Sequence, residues 1–422
     1  MLLNFLFVTV FSEVLSNLYS SFLRWKSAIR QGFKFDALTN RPCGVFLDFF
    51  TASRDLSFMN SLTKFCARLR LLLVAFTVTA PFDLSAQTTA TVSASADRVT
   101  SGVRAITSNP ANRIAPVPAP GEFFLNLTYE PGVRAVVQVP GTSLADLQAT
   151  TLPIHILFYL LPNGNTAEQT YGRTMNDSLD RRYGIQHLAA QTRRVRELLA
   201  EERTVVAVAL EADTLSWPAW RRDVPGADHR LVAITQDLRQ QLGATTGTAD
   251  LIAHSGGGSF IWGFLNAHMA LPDWLERVVL IDANYSFSAE DGHGEKLLDW
   301  LTGAPQRRLY VLAYDDRHVT LNGKPIVSET GGTWRATDRM ARALETRLAF
   351  TGGLLNDLET SSALRGRVLL ARHPNPERRI LHTVLVEKNG LVHTTVDGRA
   401  ALAPADDLYT LDQETYRMHI LP

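Results

Sequence analysis

The stretch Asp250-Leu-Ile-Ala-His-Ser-Gly-Gly-Gly-Ser-Phe260 decides the fold of this chain. A short apolar run meets a serine that is followed by three glycines, and an apolar helical pattern comes next. The pattern predicts a strand, a sharp turn at Ser255 and a helix. A residue at such a turn adopts a strained backbone, so its neighbours two before and two after must be small. Ala253 and Gly257 meet this requirement.

The composition is that of an ordinary globular protein. The chain has 422 residues, of which 45% are hydrophobic and 20% are charged. Lysine plus arginine and aspartate plus glutamate both number 42, so the formal net charge is zero. This balance favours neither a nucleic acid nor an acidic membrane surface as a partner. A chain of this length can bury one large core or two modest ones.

The first 86 residues contain the pattern of a secretory signal. Three basic side chains at positions 64, 68 and 70 precede the apolar run 71–80, and the small-residue site Leu84-Ser-Ala86 follows. The apolar run is too short to span a bilayer, which needs about 20 residues. We therefore expect residues 59–86 to be a signal peptide, with no stable membrane span in the mature chain. The expected location is secreted or periplasmic.

The position of this signal suggests that translation starts at Met59. Residues 1–58 are then an upstream extension of the gene model. The alternative is a genuine N-terminal region in which Leu2 to Phe11 forms a membrane anchor, although no basic residue precedes that run. Both cysteines, Cys43 and Cys66, lie in the part that we expect to be lost. Residues 87–121, rich in Thr, Ser, Ala and Pro, are expected to be a flexible linker.

From residue 122 the sequence predicts one α/β domain, 122–422. Two short strands joined by the turn Pro131-Gly132 suggest an antiparallel N-terminal hairpin. Later strands are near-continuous apolar runs that alternate with helices, which predicts a doubly wound, mainly parallel sheet. The predicted strands are 123–129, 134–139, 153–161, 204–210, 251–253, 277–281, 308–313 and 380–386. The predicted helices are 187–201, 231–242, 259–269, 295–301 and 333–348.

With these elements in place, the chain resembles the α/β-hydrolase superfamily from about Phe123 to its end. Ala253-His-Ser-Gly-Gly257 fits the small-x-Ser-x-small form of that family's nucleophile motif, with Ala in place of the stricter first Gly. The resemblance implies that Ser255 is a nucleophile, followed in the chain by an acid and then a histidine. The short segment between the predicted 277–281 strand and the following helix predicts a small cap or none.

Three carboxylates compete for the role of the acid. The family's acid is expected at the end of the strand 308–313, which runs into Asp315 and Asp316. The family's usual Asp-x-x-apolar spacing matches Asp316, so Asp316 is preferred and Asp315 is the runner-up. Asp282, at the end of the 277–281 strand, is a third candidate because some members of the superfamily place the acid there. The acid would orient the imidazole and stabilise its charged form.

Two histidines compete for the role of the base. His393 follows the Asn389-Gly390 turn and is expected in a loop above the sheet edge, whereas His382 lies inside the predicted strand 380–386. A loop can carry a side chain to the serine more readily than a strand interior can. His393 is therefore preferred. For the oxyanion, the resemblance implies the backbone N–H of Gly256 and an N–H near Asn163 or Gly164.

These residues lead to an expectation of acyl transfer. Ser255, Asp316 and His393 would cleave an acyl bond of a small-molecule or polymer substrate, with an ester favoured over an amide or peptide. No histidine has metal-ligand spacing with Cys or Glu, so no metal and no cofactor are expected. The competing hypothesis is a non-catalytic binding protein on the same scaffold. The sequence does not determine the oligomeric state.

Overall fold

The computed structural model describes residues 113–398 and 414–422, and in addition the short strand Ile106–Thr107. The predicted upstream extension, signal peptide and both cysteines lie outside the described residues. Two residues of the predicted linker, Ile106–Thr107, pair antiparallel with the first long strand of the sheet. Within the described residues, no helix combines the length and apolar character that crossing a membrane requires.

The elements follow one another in α/β order. The strands are β1 Ile106–Thr107, β2 Glu122–Tyr129, β3 Val133–Pro140, β4 Ile154–Leu160, β5 Thr204–Ala212, β6 Thr248–His254, β7 Leu275–Ile281, β8 Arg308–Tyr314, β9 Thr320–Leu321, β10 Lys324–Pro325, β11 Thr351–Leu355, β12 Leu358–Ala363 and β13 Val368–His373. The helices are α1 Leu144–Gln148, α2 Ala167–Tyr171, α3 Leu188–Leu198, α4 Trp217–Asp223, α5 Ala227–Gln241, α6 Gly258–Ala267, α7 His293–Gly303, α8 Thr333–Leu344, α9 Val384–Glu387 and α10 Gly390–Val396.

One sheet contains most of the strands, in the order β1-β2-β3-β5-β4-β6-β7-β8-β13-β12-β11. The central strands β5, β4, β6, β7, β8 and β13 run parallel to one another. The strands β1, β2 and β3 form an antiparallel edge, and β3 joins β5 in the antiparallel direction. The mainly parallel sheet and the N-terminal hairpin are therefore confirmed.

Helices cover both faces of this sheet, as the burial of its central strands on both sides requires. Every residue of β4 and β7 is buried, and so is every residue of β6 after the first. A hydrophobic core therefore lies against each face of the sheet. The core on one face is completed by α4 to α8. The core on the other face is completed by α2, α3, α9 and α10. This is the doubly wound arrangement that the sequence predicts. Between β7 and α7, residues 282–292 form neither helix nor strand, so no large cap is inserted there.

The predicted final strand 380–386 is wrong. Residues 380–383 are an irregular segment with a turn, and Val384–Glu387 is a short helix. The last parallel strand is instead β13, which lies beside β8 and precedes this segment. Two further strands, β11 and β12, extend the sheet antiparallel beyond β13. The sheet therefore ends before residue 374, and His382 lies after the last parallel strand and not inside it.

Candidate active site

Ser255 lies at the sharp turn between β6 and α6. Its φ is +54°, a left-handed conformation that is unusual for a side chain other than glycine. The strand ends at His254, and the 3₁₀ turn Ser255–Gly257 leads directly into α6. Strain of this kind is held in place by the surrounding structure and is concentrated at functional sites. The predicted strand, turn and helix are confirmed here.

Close backbone contacts explain the glycines after the serine. A Cβ atom at Gly257 would stand 2.1 Å from the carbonyl oxygen of Leu160, at the end of β4. A Cβ atom at Gly258 would stand 1.8 Å from the carbonyl oxygen of Ala283, just after β7. Both distances are far below van der Waals contact, and backbone atoms cannot move aside as a side chain can. The turn is thus wedged between the ends of two neighbouring strands, which requires small residues.

The carboxylate of Asp282 hydrogen-bonds to the imidazole of His382, from Nδ1 to Oδ2. Asp282 directly follows β7, is fully buried and has a φ of +44°. Its own N–H donates to the carbonyl oxygen of Leu312 at 2.7 Å, which fixes the turn. The hydroxyl of Thr333 donates to the other carboxylate oxygen, Oδ1. A buried carboxylate that accepts hydrogen bonds on both oxygens is held in place and can orient an imidazole.

The segment that carries His382 is tied to the body of the domain. Asn375 is buried, and its amide nitrogen donates to the carbonyl oxygens of Asp315 and Arg379, both at 2.9 Å. Leu381 is buried in the core, and its carbonyl oxygen accepts from the N–H of Leu385 at 3.2 Å. His382 therefore sits in a turn whose two ends are fixed, with 28% of its side chain exposed.

His254 links this turn to the serine. Its Nε2 lies 3.0 Å from the carbonyl oxygen of His382, and the two rings contact each other at a tilt of 35° with a centroid distance of 4.7 Å. A carbonyl only accepts, so Nε2 of His254 carries the proton. Burial, followed by the charge of the neighbouring His382, holds the pKa of His254 well below its ordinary value. His254, which is neutral and directly precedes Ser255, thus contacts the segment that carries His382.

The pKa of His382 is raised above its ordinary value. Burial opposes this and lowers the pKa, but the hydrogen bond and the charge of Asp282, with a further contribution from Asp316, outweigh it. With Nδ1 occupied by the carboxylate of Asp282, Nε2 is the nitrogen that remains for a proton transfer. The pair has the arrangement of a base and the group that orients it.

Asp316 lies at the end of β8, where the sequence places it, but its contacts differ from those of Asp282. Its Oδ2 accepts the backbone N–H of Thr333 at 2.8 Å, and the structure gives it no hydrogen bond to a histidine within the described residues. Asp315, the runner-up, is bound by Arg317, with Oδ2 2.6 Å from the guanidinium. The carboxylate that bonds a histidine is therefore Asp282, the third candidate.

His393 does not lie in a loop, so the premise on which it was preferred is wrong. It is in the middle of α10, is 5% exposed, and its ring contacts the ring of Tyr310 edge-on at 6.5 Å. Tyr310 lies four residues before the end of β8, which corresponds to about 13 Å of strand. His393 is thus packed over the body of the sheet, whereas Ser255 and His382 are at the edge where the parallel strands end. Burial lowers the pKa of His393.

The loop after β4 lies against the serine turn. The carbonyl oxygen Oδ1 of Asn163 is 2.0 Å from the position that a Cβ atom at Gly256 would take, so the Asn163 side chain passes directly over Gly256. Gly164 has a φ of +79°, and its N–H donates to the carbonyl oxygen of Leu215 at 2.8 Å. That N–H is therefore occupied, which favours Asn163 over Gly164 as a backbone donor beside Gly256. Within residues 113–398 and 414–422, no cluster of His, Cys, Asp and Glu has the geometry of a metal site.

The strand order and the serine turn define the class of this protein. An eight-stranded core in the order β2-β3-β5-β4-β6-β7-β8-β13, with the second strand antiparallel and the serine after β6, is the α/β-hydrolase fold. The chain has that fold.

Comparisons with known proteins add little to this assignment. No protein-family model matches the sequence, and no curated protein shows significant similarity to it. Among solved structures it is similar to a thermostable esterase (TM-score 0.31, 11% identity, covering 66% of this chain and 56% of that chain). It is also similar to a candidate epoxide hydrolase from Pseudomonas aeruginosa (TM-score 0.21, 18% identity, 40% and 43% covered). A third is a cold-adapted esterase from an Arctic intertidal metagenomic library (TM-score 0.26, 14% identity, 49% and 78% covered). The chain thus spans about half the length of the first two, and TM-scores this low carry no weight for its activity.

Proposed function

We propose that this protein is a serine hydrolase that cleaves a carboxylic ester through Ser255, His382 and Asp282. The observation that carries the proposal is the hydrogen bond between His382 and Asp282, in a turn that is bonded to His254 beside the serine. His382 and Asp282 replace His393 and Asp316 in these roles. The order along the chain is serine, acid and histidine, as in the α/β-hydrolase pattern.

The proposed reaction begins with attack of Ser255 Oγ on the acyl carbonyl carbon. Nε2 of His382 takes the hydroxyl proton as the new C–O bond forms, and Asp282 stabilises the imidazolium. The developing oxyanion accepts hydrogen bonds from the N–H groups of Gly256 and Asn163. His382 then donates its proton to the leaving alcohol, and a water molecule hydrolyses the acyl-enzyme by the same steps in reverse order.

The substrate class is tested by a hydrolysis panel of short aryl esters, longer acyl esters and amides. An ester is proposed because an alcohol is a better leaving group than an amine, while the fold and the triad themselves serve either reaction. We expect the esters to be cleaved and Ser255→Ala to lose on the order of 10⁴-fold or more in kcat. Cleavage of amides alone would support an amidase or peptidase. Equal activity of wild type and Ser255→Ala would contradict Ser255 as the nucleophile, and no activity in either would support a non-catalytic binding protein.

Export of the protein is a separate proposal. It depends on residues 59–86, which lie outside the described residues, and on their basic, apolar and small-residue segments. The expected result of N-terminal sequencing of protein recovered from outside the cytoplasm is a mature start at Gln87. A mature chain that begins well before Gln87 would contradict this proposal without affecting the assignment of Ser255, His382 and Asp282.

A further inference from the structure

A second buried carboxylate, Asp316, lies beside the proposed acid and is not used in the reaction above. It is 1% exposed, and its Oδ1 has no hydrogen-bond partner among the described residues. Its Oδ2 accepts from the first N–H group of α8, that of Thr333, at 2.8 Å. Gly332, with a φ of +92°, permits this contact, because a Cβ atom there would stand 2.4 Å from Oδ2 of Asp316.

Thr333 bridges the two carboxylates. Its backbone N–H donates to Asp316, and its hydroxyl donates to Asp282. Thr333 itself is fully buried at the N-terminus of α8. A buried hydroxyl and N–H that both point at carboxylates hold the two acids in a fixed relation, since neither donor has water as an alternative partner. His382 is therefore bonded to one member of a connected pair.

We propose that Asp316 is a positioning residue for the base, acting on the His382–Asp282 pair through Thr333 and through its own charge. The inference rests on the proposed function, because it assigns a role relative to His382 as the base. A second negative charge near an imidazole favours the protonated ring, so Asp316 makes His382 a stronger base when it is ionised. When Asp316 is protonated, that contribution is lost.

The surroundings of Asp316 are consistent with a group that changes charge near neutral pH. Burial raises its pKa to about 6, the Thr333 N–H lowers it, and the charge of Asp282 raises it again. The titratable or charged groups that act on it come from three segments of the chain. They are Asp282 and Tyr285 after β7, Tyr314, Asp315 and Arg317 at the end of β8, and His382 in the turn before α9.

The test is the pH dependence of kcat/KM for an aryl ester in wild type and in Asp316→Asn. Asparagine keeps the volume and the acceptor for Thr333 but removes the charge, so His382 loses its proton at lower pH. We expect the acidic limb of the profile to move to lower pH by on the order of one unit. The matched control is Asp315→Asn, which removes an adjacent charge that Arg317 already neutralises. We expect the acidic limb of its pH profile to move much less.

A second measurement keeps the proposal testable if Asp316→Asn lowers the yield of folded protein. The titration of His382, followed by histidine nitrogen NMR in Ser255→Ala, reports the same shift without turnover. Thr333→Val should lower kcat on the order of tenfold by removing the hydroxyl donor to Asp282, and Thr333→Ser should restore it.

The proposal would be overturned if wild type and Asp316→Asn had the same acidic limb in kcat/KM and the same NMR titration of His382. A loss of kcat in Asp316→Asn as large as that in Asp282→Asn would also overturn it, because Asp316 would then be the acid itself. Failure of the proposed function has a different signature: full activity in Ser255→Ala, His382→Ala or Asp282→Asn. The two outcomes are therefore distinguishable within one set of variants.

Discussion

At the residue scale, the site depends on two side chains held in left-handed backbone conformations at neighbouring strand ends. Ser255 and Asp282 both have positive φ and directly follow β6 and β7. Each turn is stabilised by contacts with the adjacent strand or loop, through Leu160 and Leu312. The proposed nucleophile and the proposed acid are therefore placed by the same parallel strands that form the core. The proposed base comes from a segment that is fixed by Asn375 and by His254.

His254 is expected to matter for the base as well as for packing. His254→Ala removes the donor to the His382 carbonyl oxygen and the ring that packs against the imidazole of His382. A base displaced by even a fraction of an ångström transfers a proton less efficiently, so we expect kcat to fall on the order of tenfold or more. His293→Ala is the matched control, since it removes a buried imidazole that bonds Asn266 at 2.9 Å. Equal kcat in both variants would show that His254 has no effect on the base.

The raised pKa of His382 has a direct kinetic consequence. As the proposed base, His382 must be neutral to accept the serine proton, and the Asp282 hydrogen bond favours its charged form over the opposing effect of burial. Activity is therefore lost as the pH falls through a value above the ordinary histidine pKa of about 6.5. The measurement is kcat/KM for an aryl ester as a function of pH. An acidic midpoint below that ordinary value would contradict the pairing of His382 with Asp282.

At the element scale, the sequence predicts the serine turn well and the end of the chain poorly. The strand, turn and helix around Ser255 are predicted because the small residues there answer a local steric requirement. The sequence places the last strand at 380–386 because that stretch is apolar, whereas β13, at 368–373, ends in the polar residues Arg372 and His373. Once β13 is taken as the last parallel strand, His382 lies in the segment after it. Local sequence does not distinguish these two readings, because the pairing of β13 with β8 is a tertiary contact.

The sequence also could not show which of the candidate carboxylates bonds a histidine. Asp282 and Asp316 both end parallel strands that lie side by side, so the carboxyl edge of the sheet brings both near the base. The deciding contact is the hydrogen bond to His382, and it depends on the conformation of the segment 374–383. The chain also places Thr333 between the two carboxylates, although it is far from both in sequence.

The turn after β6 predicts different effects of alanine at adjacent glycines. Gly258→Ala forces a Cβ atom against the backbone of Ala283, so we expect a loss of about 3 kcal/mol in the free energy of unfolding. Gly256→Ala meets the exposed side chain of Asn163, which can rotate away, so its stability loss should be smaller. Urea denaturation of both variants measures the difference. A larger loss for Gly256→Ala than for Gly258→Ala would contradict the wedged turn.

At the whole-molecule scale, several histidines are buried in the neutral form. Burial lowers the pKa of His293 to about 4 and lowers the pKa of His254 and His393 as well. A lowered folded-state pKa means that the unfolded chain binds protons first as the pH falls. The stabilisation from a neutral buried histidine is therefore present above about pH 6.5 and is lost below it. The pKa values of His382 and Asp316 are raised in the folded protein, so these two groups favour the folded state as the pH falls.

This balance predicts that the domain is less stable at pH 5 than at pH 7. At pH 5, His293 alone accounts for a loss of up to about 2 kcal/mol, and two more histidines act in the same direction. The measurement is the free energy of unfolding in urea at the two pH values. His293→Ala should show a smaller difference between pH 5 and pH 7 than the wild type does. Equal or greater stability of the wild type at pH 5 would mean that these histidines are not buried as neutral groups.

The proposed reaction depends most on the activation of Ser255 by His382. The most direct test is covalent labelling by a fluorophosphonate, followed by peptide mapping, in wild type, His382→Ala and His393→Ala. We predict labelling at Ser255 in wild type and in folded His393→Ala, and a loss of labelling on the order of 10³-fold or more in the rate for His382→Ala. Labelling of His382→Ala at the wild-type rate, or its loss only in His393→Ala, would contradict the assignment.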